Sequence, residues 1–539
     1  MKKQSTTKGF AILSAAGMLV KILSLLYIGS LQRIITIPGY GYYLAAYQIY
    51  VFIYVLTNAG IPVAISKIIS ELIAVKNYKD AVKSFKIARL LLLCLGLVMT
   101  LVLIVLAHPI TKRMGFEKSY WAVLALSPAI LLTSIASAYR GYFQGRGNMT
   151  PTAISQVIEQ LINIVFTLVF AAFFIKYGLI YGIAGGAAAT TLGALFSMTY
   201  LIIFYEKNKK FKVYKTENPV EIIRYTNKQI LRKIINYGVP ITICIGTTYA
   251  GNLVDVFNTV NRLLVTGLYT KPDATALYGS LGKYQQFLNV PIAIITALAA
   301  AILPAIAASV ILNNKSEVRN KINYALRVCF LIAVPAAVGL AVLSGPVFIL
   351  IFGKGYSDGQ ELMRIGSIVL ILMAVVQIQT SILQGIGKLY AATLYAVIGI
   401  TLKIVANYVL IAIPTINING AVFGSMIGFA IPLFLNHRMM KKTLKVKISL
   451  ISHAIKPVIS SGFMGLIVYI VYRYVNLALS FVVSSLFSND IAVAVAIVLG
   501  IYVYAYSLIL TGGITLGDFE AMPSKLKRFI PKTMISRIR

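Results

Sequence analysis

Apolar runs of 20 residues or more recur along this chain, and they constrain its fold more than any other feature. At roughly 1.5 Å rise per residue, each can cross about 30 Å of hydrocarbon. Inside hydrocarbon a backbone satisfies its N–H and C=O groups only as a helix or a closed barrel. The runs fall at 10–31, 42–69, 85–107, 120–143, 152–175 and 182–205, then at 234–265, 274–311, 325–351, 362–383, 390–413 and 421–440. Two more lie at 455–475 and 491–511. With 59% apolar and 12% charged residues and a mean hydropathy of +0.84, an ordinary soluble domain is excluded. The expected fold is an all-α polytopic membrane protein of fourteen transmembrane helices. Spans two and eight are overlong and contain Pro62, and Pro291 with Pro304, so bends or extensions are expected there.

The stretch Glu206–Lys233 is polar, carries nine Lys or Arg from Lys207 to Lys233, and separates two blocks of six spans. The blocks echo each other at nearly one offset. Tyr47-Gln48 returns as Tyr284-Gln285, Ile61-Pro62 as Leu303-Pro304, Gln144-Gly145-Arg146-Gly147 as Gln384-Gly385-Ile386-Gly387, and Gly182 and Gly186 as Gly420 and Gly424. The expected organisation is an N-terminal lobe at 1–206, a basic cytoplasmic linker at 207–233 and a C-terminal lobe at 234–445. Two further helices at 446–512 and a basic cytoplasmic tail at 513–539 complete it. Two parallel halves imply a pathway between them near mid-depth, the geometry of a rocking transporter.

A net charge of +35 would suggest nucleic acid as a partner for a soluble protein. Here 37 of the 50 Lys and Arg fall on one side of the expected membrane and 10 on the other, with Lys21, Lys283 and Lys403 inside spans. That asymmetry puts both termini in the cytoplasm. Nucleic acid is therefore not expected as a partner, and contact with anionic membrane lipids is a secondary consequence. The three cysteines lie in apolar segments, so no disulfide framework is expected. No nucleotide-binding, HExxH or CxxC motif is present.

Polar residues inside spans are costly and mark function or pairing. Span one carries Ser14, Gly17, Lys21, Ser24 and Gln32 within about an 80° arc of a 3.6-residue helix. An offset of 238 maps four of these to Asn252, Asp255, Thr259 and Arg262 on span seven, where Thr248 extends the stripe. Two equivalent polar faces are expected to line a shared cavity. Packing of small residues would explain Ser and Gly but not a mid-span lysine. Lys283, Arg33 and Arg262 would add to a cationic lining suited to phosphate or pyrophosphate, although Arg33 and Arg262 could equally snorkel to the interface. Span five carries Thr152, Gln156, Glu159 and Asn163, and span eleven Lys403 with Asn407. A Glu159–Lys403 pair is conceivable, with structural ion pairing the role expected of both. Tyr43, Tyr47, Tyr50 and Tyr54 form one face of span two, expected as a packing stripe, with sugar stacking the alternative.

The segments Asn58-Ala-Gly-Ile-Pro-Val-Ala-Ile-Ser-Lys67, Tyr139-Arg-Gly-Tyr-Phe-Gln-Gly145 and Met149-Thr-Pro-Thr-Ala-Ile-Ser-Gln-Val-Ile-Glu-Gln160 resemble the stage V sporulation protein B and YtgP family of polysaccharide biosynthesis proteins. That family belongs to the multidrug/oligosaccharidyl-lipid/polysaccharide (MOP) exporter superfamily, with the MurJ-type lipid II flippases. The resemblance covers essentially the whole chain. It implies two six-helix lobes, with spans thirteen and fourteen forming a groove for a lipid tail. It also implies flipping of undecaprenyl-pyrophosphate-linked precursor from the inner to the outer leaflet of the bacterial cytoplasmic membrane, in cell-wall synthesis or sporulation. MurJ-type proteins use basic residues in the central cavity on spans one, two and eight; by motif position Lys21 and Lys283 are the candidates, while span two offers no cation. A sodium site in the second lobe of some relatives makes Asp255 the one acid to consider, without a second acid beside it.

No enzymatic role is expected, since the external acids Glu117, Asp273, Asp358, Glu361 and Asp490 are scattered. No cofactor is expected either. The motive force would be the membrane potential or a Na+ or H+ gradient, and the protein is expected to act as a monomer. The alternative function is a multidrug cation antiporter of the same superfamily, which would want an acidic cavity.

Overall fold

The computed structural model describes residues 6–208, 224–311, 315–354, 359–445, 449–481 and 483–513. Most of the basic linker and nearly all of the basic tail lie outside the described residues. Among the described residues the regular elements are helical: α1 Thr6–Ile35, α2 Ile37–Asn58, α3 Gly60–Ala74, α4 Tyr78–Arg113, α5 Tyr120–Gly145, α6 Thr150–Phe174, α7 Leu179–Asn208 and α8 Asn227–Val265. Then come α9 Lys271–Ile311, α10 Lys315–Val342, α11 Ser344–Phe352, α12 Gln360–Gly385, α13 Leu389–Leu410, α14 Asn419–Leu444, α15 Leu450–Ser480 and α16 Ser485–Leu510.

Among the described residues twelve helical segments are long and apolar enough to cross a membrane, α2 and α3 counting as one. The remaining two expected spans are α8 and α9, helices of 39 and 41 residues. Span two breaks where a bend was expected. The pyrrolidine of Pro62 removes the N–H that would bond to Asn58, and α2 stops at Asn58 while α3 starts at Gly60. Span eight answers differently: α9 continues as one helix past Pro291.

The chain forms two compact units, Met1–Gly282 with Leu389–Gly428, and Lys283–Lys388 with Phe429–Arg539. The core of the first contains Ile61, Ile65 and Ile69 of α3, Phe85 and Leu92 of α4, Tyr142 and Phe143 of α5, and Leu201 and Tyr205 of α7. The Phe85 ring lies 4.6 Å from that of Tyr142 and 4.9 Å from that of Tyr205. Nearby, the chain entering α8 is fastened to the start of α4: Asp80 accepts from the Tyr225 N–H and from Asn77, and Lys83 donates to the Tyr225 carbonyl.

Backbones in this unit approach closely where glycine permits. A Cβ on Gly60 would stand 2.0 Å from the Gly238 carbonyl oxygen of α8, and one on Gly41 would stand 2.2 Å from that of Thr275 in α9. In the second unit α15 and α16 pack on each other, with Met464, Val468 and Ala496 around Leu343. Tyr504 of α16 donates to the Leu331 carbonyl of α10. Outside these contacts α15 and α16 bear exposed apolar side chains such as Ile459, Phe463, Val498 and Ile501, as expected of a surface that faces lipid.

Candidate functional site

The polar face of α1 changes character along its length. Ile28, Gln32 and Ile35 share it and are fully buried, whereas Lys21, two turns before Ile28 on the same face, is exposed. Gly17 and Ser24 are half-buried, and the Ser24 hydroxyl donates to the Val20 carbonyl. The Ser14 side chain lies outside the described residues. One face is thus buried at its Gln32 end and exposed at Lys21. Arg33 points off this face and is exposed.

Against the flank of α1 stands a ladder of tyrosines on α2. The rings of Tyr40, Tyr43, Tyr47, Tyr50 and Tyr54 follow one another at centroid separations of 6.5, 6.3, 5.8 and 5.9 Å. Their spacing of three and four residues puts them on one helix face. Tyr40, Tyr43 and Tyr50 are buried, while Tyr47 and Tyr54 remain half-exposed. Tyr27 of α1 meets the Tyr43 hydroxyl at 3.5 Å. On the α8 side, Asn252 donates to the Gln48 side chain at 3.4 Å. The ladder therefore packs along its buried members, which brace α2, while Tyr47 and Tyr54 remain half-exposed.

Glu159 does not meet Lys403; it pairs with Arg140 of α5. The Arg140 Nη2 donates to Glu159 Oε2 at 2.6 Å and to Ser197 Oγ at 2.8 Å, and its Nε donates to Ser155 Oγ at 3.0 Å. Three helices, α5, α6 and α7, are joined by one guanidinium. The side chains of Arg140 and Glu159 are 8% and 24% exposed, so the pair is covered on the arginine side and open on the glutamate side. Both residues are within electrostatic reach of Tyr54.

Lys403 pairs instead with Asp255 of α8. Its ammonium donates to Asp255 Oδ2 and to the Gly251 carbonyl, both at 2.9 Å, and Asn407 Nδ2 donates to Asp255 Oδ1 at 2.8 Å. All three side chains are buried. Both carboxylate oxygens accept from donors, so the arrangement repels a cation where Na+ would need oxygen ligands. Farther along α8, the Arg262 guanidinium stacks on Tyr408 at 3.9 Å and donates to the Tyr408 carbonyl at 2.8 Å. In the second unit Lys283 is fully buried, its ammonium 5.0 Å from the centre of the Phe352 ring. Phe287 and Phe348 complete that aromatic surround.

Residues 6–310, more than half of the chain, match the family described as "Polysaccharide biosynthesis protein". The chain belongs to that family. Among curated relatives it is similar to the "Stage V sporulation protein B" of Bacillus subtilis (strain 168), 27% identical over 84% of this chain and 87% of the relative. It is also similar to the "Lipid II flippase MurJ" of the same organism, 24% identical over 93% of this chain and 94% of the relative. Among solved structures, "Lipid II flippase MurJ, inward closed conformation" superposes with a TM-score of 0.65 at 14% identity, covering 94% of this chain and 98% of that one. An inward-facing multidrug resistance MATE family transporter of the MOP superfamily gives 0.63 at 18% identity, covering 80% and 99%. This polysaccharide biosynthesis protein family member thus has the fold of that superfamily, and the named activities among these relatives are transport rather than enzymatic.

Arg140 of this family member joins three helices through its ion pair and hydrogen bonds, and the sequence reading did not single it out. Its partner was within reach of hairpin arithmetic. The turn between α5 and α6 is centred near residue 148, so two antiparallel helices place residue 140 opposite residues 155–159. The Asp255–Lys403 pair, 148 residues apart, has no such local rule.

Proposed function

We propose that this protein flips an undecaprenyl-pyrophosphate-linked saccharide, lipid II or a related cell-wall precursor, from the inner to the outer leaflet by alternating access. The observation that carries the reading is the match to the lipid II flippase of Bacillus subtilis along almost the full length of both chains. The α1 face supports it. Lys21 is the in-span cation exposed on that face, and the half-exposed Tyr47 and Tyr54 of α2 offer rings suited to sugar. Lys283 would act later in the cycle, once freed from its aromatic surround. Arg33, Arg262, Asn252 and Ser24 would line the route, while Glu159 and Asp255, each held by a basic partner, would keep its walls in register.

The asymmetric distribution of basic residues supports an orientation with both termini in the cytoplasm. With the interior negative, an anionic headgroup moving outward gains about 2.3 kcal/mol per charge per 100 mV if it crosses the full field. The chain would work as a monomer, with six-helix lobes at 1–206 and 234–445 rocking while α15 and α16 guide the lipid tail. The cation-antiporter reading fits less well, because the acids Glu159 and Asp255 are each compensated by a buried cation.

The test is reconstitution in liposomes with labelled lipid II, scoring headgroup exposure on each leaflet. Wild type is expected to equilibrate the label and Lys21→Ala to abolish flipping while inserting normally. Normal flipping by Lys21→Ala would remove the residue from the mechanism, and no flipping by wild type would remove this substrate.

A further inference from the structure

A polar recess lies in the second unit, between the second to fourth turns of α10 and the first turn of α15. It is a cavity of about 200 Å³ lined by Asn320, Asn323, Tyr324, Arg327 and His453. Four of the five lining residues carry an amide, a guanidinium or an imidazole, and the fifth, Tyr324, adds a phenol. At about 30 Å³ per water molecule, the space has room for roughly six waters, enough for a phosphodiester group. His453 Nε2 lies 3.3 Å from Asn323 Oδ1, which ties the two helices together at the recess.

The donor set is that of an anion site. A guanidinium, two side-chain amides, a phenol and an imidazole converge, and the lining contains no carboxylate. The acid nearest in sequence, Glu317, is already bound to Lys321 at 2.6 Å. From Lys315 to Arg327, α10 carries four basic residues against that one acid.

The position identifies the class of anion. In α10 the recess ends at Arg327, where the chain turns continuously apolar as Val328-Cys-Phe-Leu-Ile-Ala-Val334. In α15 it ends at His453, a turn before the apolar stretch that follows Pro457. The recess therefore lies at the polar-to-apolar boundary of both helices, the depth of lipid headgroups. Tyr324, 45% exposed, stands at its edge as an interfacial aromatic does.

We propose that this recess binds the phosphodiester headgroup of an anionic membrane lipid, with Arg327 and His453 flanking the phosphate, Asn320 and Asn323 donating to its oxygens, and the acyl chains remaining in the bilayer. The site is built wholly from residues of the second unit and does not depend on the cargo.

The experiment uses the full-length protein in nanodiscs of phosphatidylcholine, titrated with spin-labelled phosphatidylglycerol. Arg327→Gln is expected to weaken the labelled lipid about tenfold, the scale of one charge-assisted hydrogen bond. Arg319→Gln, an exposed charge on the same helix, is expected to leave binding within twofold of wild type. Asn323→Asp, which adds a carboxylate to the recess, should weaken binding as Arg327→Gln does and serves should that variant fail to fold. Equal weakening by Arg319→Gln, or none by Asn323→Asp, would overturn the proposal in favour of diffuse attraction to the basic surface. Displacement of the lipid by millimolar inorganic phosphate would overturn the lipid assignment.

Discussion

Removing the ammonium of Lys403 provides a sharp test of how the buried charges of the first unit are held. The Lys403 and Asp255 side chains are 8% and 2% exposed, and their charged atoms are 2.9 Å apart. With Lys403→Met the Asp255 carboxylate stays buried and keeps Asn407, but it loses the cation that balances it. Breaking a buried pair in this way costs about 3–5 kcal/mol, whereas replacing both members with apolar groups is often close to neutral. Lys403→Met is therefore expected to lower the thermal midpoint of the detergent-solubilised protein by several degrees. The double replacement Asp255→Leu with Lys403→Met should recover most of that loss, giving a coupling of about 3 kcal/mol in a double-mutant cycle. Sodium gives an independent readout. A ligand that binds only the folded state raises the midpoint by mass action. Because both Asp255 oxygens already accept from donors, wild type should show equal midpoints in NaCl and KCl. A double mutant that loses the sum of the two single effects would refute the pairing energetics, and a sodium-specific stabilisation abolished by Asp255→Asn would refute the structural role.

Two further perturbations test other parts of the structure. Arg140→Gln should impair folding or midpoint stability by less than the Lys403 change, since Glu159 is 24% exposed and partly relieved by water, and Glu159→Gln should restore it in the double mutant. Gly60→Ala drives a methyl to within 2.0 Å of the Gly238 carbonyl, a backbone atom that no rotamer change can move. The α3–α8 contact should open at a cost of about 1–3 kcal/mol, read as a lower midpoint and slower flipping, while Gly462→Ala, with nothing within 4 Å, should be silent.

How much of this was legible in the sequence depended on the range of the interaction involved. Helix positions came from local hydropathy and survive almost intact, including the break two residues after Val55-Leu56-Thr57, which a single proline dictates. The polar face of α1 was legible because 3.6-residue periodicity is a property of one helix. Its division into a sealed end at Gln32 and an open stretch at Lys21 was not, because it depends on which neighbours cover each turn. The partners of Glu159 and Lys403 required knowledge of helix adjacency, and repeat symmetry alone suggested the wrong pairing, since equivalent spans need not touch. Lys283 read as a cavity cation and Arg262 as either a cavity cation or a snorkelling one, and the sequence did not show that each lies against an aromatic ring. A sequence gives the charge of a long side chain but not which way its flexible stem turns.

The two halves solve one packing problem with different chemistry, and that difference bears on mechanism. In the first half α1 packs on α6, and in the second half α8 packs on α13. An offset of 238–240 aligns Gly17 with Asp255, Asn163 with Lys403, and Thr167 with Asn407. In the first half the Asn163 and Thr167 side chains satisfy each other at 2.9 Å on α6, and α1 contributes only a glycine at the equivalent position. In the second half the charged pair bridges the two helices directly. An ion pair buried between two helices opposes any shift that would part its charges, because each charge left unpaired is costly, whereas a glycine contact sets no such constraint. If the lobes move as proposed, α8 and α13 should travel as one body, and α1, held to α6 without charge, is the helix of the two equivalents that can shift on its neighbour. Lys21 lies on α1, the helix whose contact with its neighbour carries no ion pair at the equivalent position, so on the proposed mechanism the cation assigned to the headgroup sits on the helix without that charged tie.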